Sequence, residues 1–364
     1  MPRRSYTVGV VGLGYGRAHI PAFQANGCQV VAVCQRNQAA ARSVAERYGV
    51  PQAFERWEEM LERARPEIVV IATPPPSHLA IATAAFAGGA HVLCEKPLAM
   101  SAAEGRGMMQ AAAEAGRIGM TGFNWRFPAA MVRFHEMAAS GHVGRLFHLR
   151  ADWLGARWAD ESAPATWRMD RAAAGHGAMG DMGVHLIDLV RWSFGEFKRV
   201  IAHSGIAHPA RMAPGGRPTD AEDYCAVLAE LASGAEVTLQ ASRAARGANG
   251  HGLEAYGSTG ALAYTLDRAA PRWYRGVLRA ASGDGGFQPV KVAAGLPRSA
   301  GEGDPMEVIG KTMIAPLVKR FLAAIRKGAP ASPSFEDGVR AQAVLDAVLE
   351  SQSRGGWAEV KSEG

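Results

Sequence analysis

The stretch Tyr6-Thr7-Val8-Gly9-Val10-Val11-Gly12-Leu13-Gly14-Tyr15-Gly16-Arg17-Ala18 decides the fold. Its first six residues are a β-rich run ended by Gly12, and from Ala18 a helical stretch continues until Asn26-Gly27 stops it. Glycines between a strand and a helix let the backbone turn tightly and approach a diphosphate, whose charge meets the N–H groups and dipole of the helix start. Gly12 and Gly14 fit the first two positions of G-x-G-x-x-G, but the third falls on Arg17, and Gly16 sits one residue early. Two readings stay open: a turn one residue shorter than usual with Gly16 as the packing glycine, or an Arg17 side chain that faces the phosphates. A glycine turn alone is a weak signal, and its place at the head of a βαβ unit is what raises it. The expected dinucleotide contacts here are Gly12, Leu13, Gly14, Tyr15, Gly16 and Arg17.

Outward from this turn, strands and helices alternate. Strand patterns cover 29–34, 67–72, 91–94 and 118–123, and helical patterns cover 38–48, 57–63, 77–87 and 102–115. Alternation at this spacing implies right-handed βαβ units and a parallel sheet, so residues 1–123 read as a doubly wound Rossmann domain of the α/β class. After Asn124 the rhythm changes to a helix over 129–140, a strand over 146–153, a loop rich in Trp, Ala and Pro, and a helix over 180–194. Strand-like runs follow from Val200, notably 224–231 with 235–241 and 252–256 with 261–265, each pair joined by a glycine-containing turn. Such hairpins build a mostly antiparallel sheet, and residues 124–364 read as a second domain of the α+β class. No element is placed between 271 and 305, and two helices, 312–326 and 335–354, close the chain.

Composition narrows the function. With 48% hydrophobic and 20% charged residues in 364, the chain has the apolar content for sizeable cores. The net charge of +6 is spread without a dense basic run or aromatic-basic interleaving, which argues against nucleic acid. Cys28, Cys34, Cys94 and Cys225 lack C-x-x-C spacing and sit in apolar runs, as reduced, buried thiols do. Arg3-Arg4 is not followed by a signal-peptide segment, and no stretch is long and apolar enough to span a membrane; a cytoplasmic protein is expected.

The end of the second strand reads Cys34-Gln35-Arg36-Asn37, without the carboxylate that binds the ribose hydroxyls of NAD. A neutral Gln35 followed by Arg36 removes repulsion toward a 2′-phosphate and supplies a bidentate donor, favouring NADP (NADPH) over NAD.

At Val92-Leu93-Cys94-Glu95-Lys96-Pro97-Leu98-Ala99 the sequence resembles the family of glucose-fructose oxidoreductase, inositol dehydrogenase and MocA, whose signature is Glu-Lys-Pro after the fifth Rossmann strand. Ala72-Thr73-Pro74-Pro75-Pro76-Ser77-His78 is similar to that family's loop beside the cofactor, and Gly122-Phe123-Asn124-Trp125-Arg126-Phe127 to its interdomain crossover. Trp167-Arg168, the run from Gly175 to His185 ending in D-x-G-x-H, and Ser332-Pro333-Ser334-Phe335-Glu336-Asp337-Gly338 extend the likeness over nearly the whole chain. The resemblance implies catalytic roles for Lys96, Asp181 and His185. It also implies cofactor contacts from Thr73, Pro74, Pro75, His78, Glu95, Lys96, Asn124, Trp167 and Arg168.

The implied reaction is hydride transfer between nicotinamide and a secondary alcohol or ketone of a sugar, cyclitol or related polyol. Asp181 and His185, four apart at the start of a helix, share a face; His185 would exchange the hydroxyl proton, Asp181 orient His185 or share its proton, and Lys96 hydrogen-bond the developing alkoxide. Trp125, Arg126 and His176 join them as candidate substrate contacts; His176, standing where a glycine is common in the resembled run, is either a substrate contact or a tolerated loop variation. The aromatics, Trp125, Trp153, Trp158 and Trp167, either shape a polyol pocket or form core. No metal is expected, because no ligand set accompanies the Asp-His pair and Lys96 would repel a divalent ion. A homo-oligomer, dimer or tetramer, is implied by resemblance. Two alternatives remain, a non-catalytic dinucleotide-binding regulator on the same fold and an imine reductase; a short-chain dehydrogenase needs Tyr-x-x-x-Lys, which is absent.

Overall fold

The computed structural model describes residues 5–213, 216–270, 272–293 and 303–361. Arg3-Arg4, and residues 271 and 294–302 of the stretch without placed elements, lie outside them. The chain divides into two compact units, Met1–Asn124 with Leu296–Val339, and Trp125–Gly295 with Arg340–Gly364.

The first unit alternates β1 (Thr7–Val11), α1 (His19–Ala25), β2 (Gln29–Cys34), α2 (Gln38–Tyr48), β3 (Gln52–Phe54), α3 (Trp57–Ala64), β4 (Ile68–Ile71), α4 (His78–Ala87), β5 (His91–Cys94), α5 (Ala102–Glu114) and β6 (Gly119–Thr121). Capping explains several boundaries. Asn37 Oδ1 accepts the Ala40 N–H at 3.0 Å to open α2, and Gly49, at φ 66°, closes it in the left-handed region. Ser101 Oγ accepts the Glu104 N–H while Glu104 Oε2 accepts the Met100 N–H, so α5 starts on a reciprocal pair of caps.

The strands are wholly parallel and ordered β3-β2-β1-β4-β5-β6. All four residues of β4 are buried, as expected of a strand covered on both faces. The order reverses between β1 and β4, and ligands of such sheets bind beyond the carboxyl ends of the strands at that point. Only β3 escaped the sequence reading, because three residues are too few to show a period.

The second unit contains α6 (Ala129–Ala139), β7 (Leu146–Gly155), α7 (Arg171–Ala174), α8 (Val184–Phe194), β8 (Phe197–Gly205), the short pair β9 (Met212–Ala213) and β10 (Arg217–Pro218), β11 (Tyr224–Leu231), β12 (Glu236–Ser242), β13 (Asn249–Gly257), β14 (Gly260–Asp267), β15 (Val277–Ser282) and β16 (Gln288–Pro289). Its large sheet, completed by the late strand β17 (Ala358–Glu359), runs β16-β15-β14-β13-β7-β12-β11-β8-β17. Neighbours are antiparallel except β7 and β12, whose parallel pairing joins the two expected hairpins into one sheet. Alternate residues point inward, Cys225, Val227, Ala229 and Leu231 on β11, and Val237, Leu239 and Ala241 on β12.

The chain then forms α9 (Pro305–Ile309), a π turn (Gly310–Ile314), α10 (Ala315–Lys327), α11 (Phe335–Arg354) and β17 (Ala358–Glu359), the last pairing with β8. The sequence divides the protein once, at 123/124, whereas 296–339 cluster with the first unit. The reason is packing that no contiguous reading displays: α10, with Leu317, Val318, Phe321 and Leu322 buried, and the π turn before it lie against α1.

Candidate active site

In the first unit, Gly12 has φ 87° and donates its N–H to the Cys34 carbonyl at 2.9 Å. A Cβ on Gly12 would lie 2.6 Å from the Ala72 backbone, whereas nothing lies within 4 Å of one on Gly14. The first glycine therefore permits the turn, and the second leaves bare backbone open to an approaching group. A Cβ on Gly16 would meet the Ala72 Cβ at 2.9 Å and Val10 Cγ1 at 3.3 Å. Gly16 is thus the close-packing glycine of a turn one residue shorter than usual. Arg17 is half-buried, and its Nε has no hydrogen-bond partner. Gln35 is half-buried and Arg36 exposed, with no carboxylate among residues 35–37. An open glycine turn followed by an uncompensated exposed guanidinium suits an anionic dinucleotide.

Thr73, Pro74 and Pro75 follow β4, with the Ser77 hydroxyl 2.7 Å from Thr73 Oγ1 and 2.9 Å from the Pro74 carbonyl oxygen. His78 departs from its expected role. It is 1% exposed, its Nε2 is 2.8 Å from the Thr73 carbonyl oxygen, and its Nδ1 is 3.0 Å from that of Leu98. With both ring nitrogens facing backbone carbonyls, the ring lies between two loops and turns neither nitrogen to a cofactor; burial lowers its pKa.

Glu95 and Lys96 follow β5 at the carboxyl edge of the sheet. Glu95 is buried and its Oε1 lies 2.8 Å from His19 Nε2; Lys96 is half-buried. Glu95 is therefore held by a protein partner. Asn124 Nδ2 donates to the Tyr15 hydroxyl at 3.3 Å, and the Tyr15 ring stands edge-on to His19.

In the second unit, the glycine-rich run is held by backbone. A Cβ on Gly177 would lie 1.9 Å from the Glu222 carbonyl oxygen, while the Ala178 N–H donates to that oxygen at 2.8 Å and the Met179 N–H to Glu222 Oε1 at 3.1 Å. The run continues as a π turn (Met179–Gly183) carrying Asp181, and α8 begins at Val184 with His185 in its first turn. Helix was expected from residue 180; the wider turn takes its first residues, a distortion often found at functional sites.

Arg168 Nε lies 3.6 Å from Asp181 Oδ1, both side chains about a third exposed. The Arg168 guanidinium also lies over the Trp167 ring at 4.5 Å. His185 is 3% exposed, with its ring 5.4 Å from that of Trp153 and 6.2 Å from that of Trp125.

Three expected substrate contacts turn inward. Arg126 is 3% exposed and paired through two nitrogens with Asp188, its Nε donating to Oδ2 at 2.8 Å, and its guanidinium lies 5.2 Å from the Trp192 ring centre. Trp125 packs edge-on against Trp153 and His251, each at 4.9 Å. Trp153 and Trp158 are likewise core. His176 is 3% exposed with neither ring nitrogen hydrogen-bonded, and burial lowers its pKa.

Sequence reasoning missed His19, Glu222 and Arg243. Arg243, 1% exposed, donates from Nε to Asp223 Oδ1, and from its two terminal nitrogens to the Arg168 and Ala221 carbonyls, at 2.9, 2.9 and 3.1 Å. It secures the turn bearing Arg168. Nothing local marks such a residue, since its partners lie 20 to 75 positions away. His19 had one signal, a lone histidine opening the helix after the glycine turn.

Residues 6–123 match the oxidoreductase family with an NAD-binding Rossmann fold, and residues 131–263 match the GFO/IDH/MocA C-terminal domain. Levoglucosan dehydrogenase of Pseudarthrobacter phenanthrenivorans is 29% identical, over 98% of this chain and 98% of that protein. Inositol 2-dehydrogenase of Rhizobium meliloti is 28% identical over 94% and 96%. Among solved structures, an oxidoreductase domain protein from Kribbella flavida superposes with TM-score 0.86 at 31% identity, covering 98% of this chain and 99% of that one. Levoglucosan dehydrogenase in complex with NADH and levoglucosan gives 0.87 at 28%, covering 99% and 100%. With both halves matched and likeness running end to end, the chain belongs to the GFO/IDH/MocA family of oxidoreductases with an NAD-binding Rossmann fold.

Proposed function

We propose that this protein transfers a hydride between NADP(H) and a secondary alcohol or ketone of a sugar, cyclitol or related polyol. The observation that carries this reading is a lysine, Lys96, after β5 at the carboxyl edge of a parallel sheet, one strand from the β4 end that Gly12 abuts. The relatives named for levoglucosan and inositol support the substrate class.

A bound nicotinamide supplies or takes up the hydride at its ring. Lys96 hydrogen-bonds the substrate oxygen and stabilises the negative charge that develops there. His185 takes the hydroxyl proton in oxidation and returns it in reduction. Asp181, 3.6 Å from Arg168 Nε, orients His185 or shares its proton. Gly12, Gly14 and Gly16 shape the turn for the diphosphate, and Arg36 meets the 2′-phosphate. Thr73, Pro74, Asn124 and Trp167 complete the cofactor contacts.

The NADP(H) preference rests on Gln35-Arg36, although a relative has been solved with NADH. Buried, unbridged cysteines support a reducing, cytoplasmic setting. Tyr224 and Val277, exposed at positions alternating with buried Cys225 and Leu278, support a homo-oligomer formed through the large sheet.

The test is steady-state turnover with NADPH and NADH against a panel of anhydrosugars, aldoses and inositols. Lys96→Ala and His185→Ala each lower kcat by about 10²- to 10⁴-fold, and Arg36→Ala lowers kcat/KM for NADPH more than for NADH. Turnover undiminished in Lys96→Ala refutes the mechanism; equal loss with both cofactors in Arg36→Ala refutes the cofactor preference.

A further inference from the structure

We infer that His19 and His78 are positioning residues on the two sides of Lys96, His19 holding the Glu95 carboxylate toward which the Lys96 N–H points and His78 facing the Leu98 carbonyl. This rests on the reading of Lys96 as a catalytic residue. Lys96 sits on a loop beyond β5, and the residues on either side of it help define where its amine emerges. The two histidines supply that definition.

On one side, His19 opens α1 with its side chain fully buried and Nε2 at 2.8 Å from Glu95 Oε1, the Glu95 side chain being 9% exposed. The Lys96 N–H points to the other carboxylate oxygen at 3.4 Å. A Cβ on Gly122 would lie 2.9 Å from Glu95 Oε1, so the bare backbone there makes room for the carboxylate. Since the Glu95 N–H is already donated to Ile71, the His19 contact sets the side chain and leaves the strand bond untouched.

On the other side, His78 opens α4 and lies between the Thr73 and Leu98 carbonyl oxygens at 2.8 and 3.0 Å. A neutral ring donates to one of them at a time, according to its tautomer, and a protonated ring donates to both. Thr73 is the residue whose backbone N a Cβ on Gly12 would strike at 2.7 Å. The glycine turn, the β4 loop and the lysine loop are thus linked through His78, and the helix after the glycine turn grips the same loop through His19. Both links lie within the first unit.

Histidines that served only as core filler would, when removed, alter stability and leave the chemistry of Lys96 unmoved. The test therefore reads Lys96 directly. His19→Ala, His78→Ala and the conservative His19→Gln and His78→Gln are prepared as full chains, with folding checked by circular dichroism. In ligand-free protein, the rate of Lys96 acetylation by a small acylating reagent is followed against pH by mass spectrometry. Turnover and NADPH affinity are measured alongside.

The expected result is a shifted midpoint of Lys96 acetylation in both alanine variants. Their kcat falls about 10- to 100-fold while NADPH affinity stays within about 2-fold, and the glutamine variants recover part of the loss. Folded alanine variants with unchanged acetylation and kcat overturn the inference, as does a loss of kcat matched by NADPH affinity with acetylation unmoved. Should the alanine variants not fold, Glu95→Gln reads the same contact: a moved acetylation midpoint supports the inference and an unmoved one overturns it. Lys96→Ala separates the two claims. Full turnover there removes the catalytic reading, whereas lost turnover with unmoved acetylation in the histidine variants removes only the positioning.

Discussion

His251 stacks on Trp153 at 4.5 Å and stands edge-on to Trp125, with Nε2 3.2 Å from the Tyr264 hydroxyl. Burial chiefly, with Arg268 adding to it, lowers its pKa to about 3 from an ordinary value near 6.5. Between these values the unfolded chain binds a proton that the folded chain does not. Stability from this group is therefore complete above about pH 6.5 and falls toward pH 3, by about 1.4 kcal/mol per pH unit at full slope. Burial lowers the pKa of His78 and His176 with the same sign. Urea melts from pH 6.5 to 4.5 are expected to lose stability less steeply for His251→Phe than for the unsubstituted chain, by about that slope; equal slopes would show that His251 protonates freely. Arg126 offers a second test. Asp188→Asn leaves a guanidinium in the core without its counter-charge and is expected to cost about 3–5 kcal/mol in the same melts, whereas a substrate-binding Arg126 predicts a raised KM at unchanged stability.

At the scale of the element, the segment from Gly177 through the π turn into α8 carries Asp181 and His185, and its glycines are not equivalent. A Cβ at Gly177 would press on the Glu222 backbone, which has nowhere to retreat, while one at Gly183 would meet Met179 Sδ, the end of a flexible side chain. Gly177→Ala is therefore expected to destabilise by about 1–3 kcal/mol and to lower kcat with it, and Gly183→Ala to do less of both. Comparable thermal melts and rates for the two variants would contradict this. The acid and the histidine of the D-x-G-x-H run were legible in the sequence, but the π turn between them was not. Four-residue spacing reads as one helix face, and only the packing of Gly177 and Glu222 shows where regular winding begins.

At the scale of the whole molecule, the late π turn reaches the cofactor turn. A Cβ on Gly310 would lie 2.3 Å from the Ala18 carbonyl oxygen, and Ala18 ends the short turn that starts at Gly16. Gly310→Ala is expected to weaken dinucleotide binding, measured by fluorescence titration with NADH and with NADPH, although the substitution stands nearly 300 residues from the glycine motif. The crowding is worth about 1–3 kcal/mol, shared between stability and affinity, and an unchanged dissociation constant would show that the turn accommodates it elsewhere.

The sequence by itself determined the alternation of strands and helices and, through its short motifs, the family, because each rests on local periodicity or on spacing within a few residues; it left the glycine turn open between two readings, and the packing of Gly16 chose the shorter one. Tertiary structure alone decided which candidates face inward. Arg126 and His78 carry polar groups that a sequence reader sends to a ligand, yet Asp188 lies 62 positions from Arg126, and Leu98 lies 20 from His78. It also decided that 296–339 belong with the first unit and that Glu222 and Arg243 support the second. A buried polar group takes its meaning from the partner that satisfies it, and when that partner is distant along the chain only the folded protein names it.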